Sequence, residues 1–152
     1  MADRESLDFS LHYLGGTFGS VGQPLAPAPT ATVMSLLHPL LLQLRPGCWT
    51  IHDEYPARDS SALEPADWLG LAQAISQDYV AGIRRVMVIM GTDTLAYVAA
   101  FLAEVFVETD IQLVVTGSQL PLLTPDALGI RSETDALDNL RTACQLFSTP
   151  RY

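Results

Sequence analysis

The chain has 152 residues, 49% of them hydrophobic, and carries a formal net charge of -9. That length suits about one domain with a core of its own, and the acidic balance argues against nucleic acid or an anionic membrane, both of which select a basic face. No apolar run approaches the roughly 20 residues needed to span a bilayer, and the opening MADRESLDF is charged without the apolar stretch of a secretory leader, so the expected setting is the cytoplasm.

In chain order, residues 7–14 alternate in polarity and end in GGTFGS, which predicts a strand running into a tight turn. A proline-rich loop follows, with Pro24, Pro27 and Pro29, then a helical stretch over 32–38 closed by Pro39. Residues 49–52 predict a short strand, and 55–61 an irregular polar segment. Ser61 and Glu64 fit a capping box with Pro65 in the first helical turn. The spacing of Trp68, Leu71, Ala72, Ile75 and Tyr79 is helical, and Gly82 stops that helix. The continuous apolar run 86–90 predicts a strand buried on both faces, followed by a helix over 94–107. A second buried strand over 111–116 leads through GSQLPL and a polar loop, 124–133, to a helix over 134–147.

This alternation predicts an α/β fold in three layers, with a mostly parallel open sheet and helices on both faces. Cys48 and Cys144 form no CxxC and read as buried free thiols; His12, His38 and His52 are scattered, so no metal site is expected.

Ligands of parallel sheets bind outside the carboxyl ends of the strands. Three such ends carry small and hydroxyl residues: Gly15-Gly16-Thr17, Gly91-Thr92-Asp93-Thr94 and Thr116-Gly117-Ser118. Asp59-Ser60-Ser61 leads directly into a helix N-terminus. Glycine lets backbone approach a small ligand, while hydroxyls and helix amides suit a carboxylate. Each piece has a plainer reading as well: Ser61 or Asp93 as a helix cap, GGTFG as a turn. GxGxxG, GxxxxGK[ST] and GxSxG are absent, which removes the dinucleotide, P-loop and serine-elbow readings. A threonine hydroxyl becomes a nucleophile only beside a base or polarising partner, and Thr17 lies in an accessible glycine-rich turn.

In this order, LGGTFG, DSSALEPADW, GTDTLAY, VVTGSQLPL and RSETDALDNL resemble the bacterial L-asparaginase/glutaminase family, and within it the cytosolic type I branch. The resemblance implies a Rossmann-like asparaginase N-terminal domain over 1–152, with the family's C-terminal domain absent. It further implies hydrolysis of the side-chain amide of L-asparagine to L-aspartate and ammonia, without cofactor or metal. By motif, Thr17 would be the nucleophile, Thr92 the second catalytic threonine, and Asp93 the catalytic-site carboxylate that holds the substrate amino group. Asp59, Ser60 and Ser61 would form the substrate-binding loop, where a hydroxyl and backbone amides receive the α-carboxylate, and Ser118 would lie near the side-chain amide. A homo-oligomer is implied, with no nucleic-acid or membrane partner. Three departures accompany these matches. SVGQPLAPAP lacks the family's loop tyrosine, and Met90 stands where a histidine is common. The catalytic lysine has no counterpart, since all eight basic residues are arginine. Two other readings stand beside this one: a non-catalytic module that binds an amino acid or a partner protein, and an amide hydrolase preferring glutamine.

Overall fold

The computed structural model describes residues 8–147; Leu7, expected to open the first strand, and the terminal STPRY lie outside them. Four parallel strands, β1 (Asp8–Tyr13), β4 (Cys48–His52), β5 (Arg85–Ile89) and β6 (Gln112–Thr116), form one sheet in the order β4-β1-β5-β6. A small antiparallel hairpin, β2 (Ser20–Val21) with β3 (Ala26–Pro27), follows the first turn and was not expected. The described α-helices are α1 (Thr30–Leu44), α2 (Pro65–Val80), α3 (Leu95–Val105) and α4 (Asp135–Leu146).

The period-2 geometry of β5 divides the interior into two cores. Met87 and Ile89 pack with Phe9, Leu11 and Tyr13 of β1 against Val33, Leu37 and Leu41 of α1 and Leu140 of α4. Val86, Val88 and Met90 pack on the other face against Leu71 and Ile75 of α2 and Val98 and Leu102 of α3. The expected three-layer α/β architecture is therefore present. The chain leaves β1 over one face through α1, and leaves β5 over the other through α3, so the loops after these neighbouring strands diverge. A crevice at such a switch point is where open α/β sheets take ligands.

Local expectations failed where a residue type has two uses. Pro39, expected to stop a helix, lies inside α1. Its ring faces solvent while Val33, Leu37 and Leu41 bury the opposite stripe, and that packing carries the helix through. Pro39→Ala is expected to restore an amide donor and raise stability by about 1–3 kcal/mol, read as a later denaturant midpoint. The capping box is displaced by three residues: Glu64 is the N-cap of α2, and Asp67 accepts from the Glu64 amide at 2.8 Å, while Ser61 belongs to a preceding 3-10 turn, Ser60–Ala62. Pro65 does open α2. The β6 strand is half-buried along its length and has a single strand neighbour among the described residues. Cys144 is buried, with its thiol pushed up to about 11 by burial, but Cys48 is exposed. His12 and His52, far apart in sequence, are register partners on β1 and β4. No described helix is long and apolar enough to cross a membrane.

Candidate active site

Glycine backbones seat the strand-end turns against one another. Gly16 has φ +82° and ψ -173°, a region open essentially to glycine alone, and a Cβ there would lie 2.5 Å from Gly91 Cα. The turn after β1 and the turn after β5 thus touch main chain to main chain. A Cβ on Gly91 would in turn meet Ser60 N at 2.9 Å and Ser60 Oγ at 3.0 Å. Gly15, at φ +95°, leaves room for Ala57 and Arg58, and Arg58 N donates to Leu14 O at 3.1 Å. Gly117 packs against the Met90 carbonyl and lies 3.4 Å, by its missing Cβ, from Thr92 Cγ2. Four segments distant in sequence therefore converge on one sheet edge.

The threonines differ in their engagement. Thr17 opens a 3-10 turn, Thr17–Gly19, is half-buried, and its hydroxyl makes no hydrogen bond among the described residues. Thr92 accepts a hydrogen bond from Gln119 Nε2 at 3.2 Å. Asp93 was a candidate cap for α3, but the cap position is Thr94, and the exposed Asp93 carboxylate has no hydrogen bond or ion pair among the described residues. A carboxylate left unused beside a hydroxyl pair suits a ligand better than it suits the helix.

The Asp59-Ser60-Ser61 segment splits in role. Ser60 is buried, its Oγ accepts from Thr94 N at 3.1 Å, and its carbonyl accepts from Thr94 Oγ1 at 3.1 Å. Ser60 thus ties this segment to the GTDT turn at the N-cap residue of α3, whose helix amides receive no side-chain cap from Asp93. Asp59 and Ser61 are exposed, with side chains unpaired among the described residues. Ser118, placed near the reacting amide by resemblance, is buried and donates to Leu120 O at 2.6 Å, so its hydroxyl serves its own loop. Its neighbour Gln119 reaches Thr92 instead. The signal for Gln119 was present in GSQLPL, but an amide beside a serine at a strand end is the less obvious polar group. Asp135 holds that loop, accepting from Gln119 N at 2.7 Å and Leu120 N at 2.9 Å, and Asn139 Nδ2 donates to Gly117 O at 2.9 Å.

The family model described as "Asparaginase, N-terminal" matches residues 9–152. The chain belongs to the asparaginase family. L-asparaginase 1 of Escherichia coli K12 is 33% identical over 113 residues, covering 72% of this chain and 33% of that protein. The L-asparaginase of Thermococcus kodakarensis is 37% identical over 87 residues, covering 56% of the chain and 24% of that protein. Among solved structures, L-asparaginase I of Vibrio cholerae superimposes with a TM-score of 0.73 at 31% identity, covering 91% of this chain and 40% of that one. The asparaginase family thus matches in sequence and in fold, and the chain spans about a third of the length of the Escherichia coli relative.

Proposed function

We propose that this chain forms the threonine-bearing part of an asparaginase site that hydrolyses the side-chain amide of L-asparagine. The observation that supports it best is the pair of threonine turns locked together at the β1/β5 switch point, one hydroxyl unengaged and the other beside an unpaired carboxylate. Thr17 Oγ1 adds to the amide carbon, the C–N bond breaks, and ammonia leaves with the proton gained in that step. Water then cleaves the resulting ester, releasing L-aspartate and restoring the Thr17 hydroxyl. Thr92, oriented by Gln119, positions that water. Asp93 receives the substrate ammonium group, and the exposed Asp59 and Ser61 lie with Ser60 on the loop that takes the α-carboxylate. The family's lysine partner for the Thr92–Asp93 pair has no counterpart among these 152 residues. An oligomer, implied by the resemblance, is proposed as well, for which the half-buried β6 strand offers a surface. The proposed setting is cytoplasmic.

Ammonia release from L-asparagine, L-glutamine and D-asparagine, with L-aspartate binding measured in parallel, tests the reading. Release from L-asparagine above the other two, lost in Asp93→Asn, is the expected result. L-aspartate binding without any release would favour the amino-acid-binding module instead, to which the absent loop tyrosine lends weight. Release from L-glutamine above L-asparagine would move the chain to the glutamine-preferring reading.

A further inference from the structure

Behind the candidate site, β1, β4, α2 and the loop 53–63 meet at a buried group that the reaction does not use. Asp78 of α2 is 5% exposed, faces the sheet, and accepts from His12 Nε2 at 2.8 Å and His52 Nε2 at 2.9 Å, each ring on a different carboxylate oxygen. The two rings stack at 4.2 Å with 7° between their planes. The other nitrogens face the loop: His12 Nδ1 accepts from Tyr55 Oη at 2.9 Å, and His52 Nδ1 lies 3.4 Å from Glu54 Oε1. Ser10, buried on the same face of β1, completes the polar surroundings. The ligand atoms of the two histidines and the carboxylate lie within 4.8 Å of one another, and both Nε2 atoms are spent on the Asp78 carboxylate. A fork on one carboxylate fits that geometry, and a metal cage does not.

We propose that the His12–Asp78–His52 fork and Tyr55 form a proton-sensitive latch that holds the loop 53–63, with Tyr55 and Asp78 as positioning residues for Asp59 and Ser60. Tyr55 lies four residues before Asp59 and ties the loop to β1 by its hydroxyl. A cavity of about 140 Å³ lined by Leu14, Tyr55, Arg58, Leu63 and Ala66 lies beside the loop, which meets α2 through the partly buried Tyr55 and Leu63 and an Arg58–Asp67 ion pair at 3.6 Å. The latch requires neutral His12, whose Nδ1 is then free to accept. Burial, which outweighs the Asp78 hydrogen bond, lowers the His12 pKa from its ordinary value of 6.5. For Asp78, burial pushes the pKa up, but the hydrogen bonds from the histidines outweigh it and leave the carboxyl below its ordinary value. Both groups therefore contribute stability that is fully present above their unfolded pKa values and is lost as pH falls through the folded ones. His12 acts first, below 6.5. A proton on His12 turns Nδ1 into a donor, so the Tyr55 hydroxyl must turn to accept and its own proton loses its partner, and it sets a buried cationic ring against His52.

The meaning of the latch rests on the substrate-loop reading of residues 59–61, but its test needs no substrate. Amide-exchange protection of residues 53–63, corrected for intrinsic rates, is compared with that of β1 and β5 in the parent and in Tyr55→Phe. The expected result is about fivefold lower loop protection in Tyr55→Phe at pH 7.5 with unchanged strands. The difference between the two proteins should narrow as the pH falls below 6.5 and the parent latch loosens. Equal loop protection at pH 7.5, or a parent loop insensitive to pH, would overturn the proposal, as would protection that rises on adding zinc chloride. Weaker L-aspartate binding in Tyr55→Phe is also expected. No binding in either protein, with the exchange difference intact, would count against the asparaginase reading and leave the latch standing.

Discussion

In a protein that also carries a cation for the Thr92–Asp93 pair, Thr17→Ala is expected to abolish ammonia release from L-asparagine, lowering the rate by about 10⁴-fold or more relative to the parent, as nucleophile deletions do. The same substitution should barely move the unfolding midpoint. The hydroxyl is half-buried and makes no hydrogen bond among the described residues, so removing it strands no partner and opens no core cavity. Substitutions of that kind usually stay within about 0.5 kcal/mol. The division between lost chemistry and retained fold separates a nucleophile from a structural residue. Coupled ammonia and thermal-unfolding measurements on one preparation make the comparison. A Thr17→Ala protein that still turned over at the parental rate would transfer the nucleophile's role to another residue.

Gly16→Ala should damage both properties at once. At φ +82° and ψ -173° an alanine is strained by about 1–3 kcal/mol before any contact is considered. Its Cβ would also lie 2.5 Å from Gly91 Cα and 2.5 Å from Gly91 N, where only main chain can give way. A total loss of about 3 kcal/mol or more is expected, which for a domain of this size lowers the thermal midpoint by roughly 6–12 °C. Below that midpoint the folded protein should still lose turnover, because Gly91 precedes Thr92 directly. Unchanged stability in Gly16→Ala would show that the two turns do not bear on each other. Gly82 is the contrast: it also has positive φ, but a Cβ there meets nothing within 4 Å, so backbone strain alone separates it from alanine.

What the sequence revealed depended on how directly a residue's neighbours along the chain reported its environment. The apolar run 86–90 announced a doubly buried strand, and β5 fills both cores with alternate residues. The strand-end hydroxyls were legible because α/β topology brings carboxyl ends to one edge whatever the register. Pro39 misled because its local cost was outweighed by the buried stripe of α1, a tertiary effect. Spacing alone makes caps of Asp93 and Ser61, whereas Glu64 caps α2 and the N–H of Thr94, which opens α3, goes to Ser60, 34 residues away. The histidine fork was hidden for a similar reason. The pairing of His12 with His52 follows from the parallel register of β1 and β4 across a connection that contains α1. Asp78 carried a fainter signal: three residues after Ile75, it falls on the buried face of α2, where an unpaired carboxylate would be costly.

The glycine seam also decides how the site can deform. Because Gly16 and Gly91 leave no side-chain cushion between them, the two threonine turns behave as one rigid body whose spacing is fixed by peptide geometry. The surrounding polar groups sit on segments of different mechanical character. Residues 53–63 border a cavity, and the segment after Gly117 hangs from side-chain hydrogen bonds to Asp135 and Asn139. Ser60 is itself tied to the GTDT turn by two hydrogen bonds. Adjustment to a longer or bulkier ligand therefore falls to residues 53–58 and to the segment after Gly117, while the main-chain spacing of the two threonine turns stays constant.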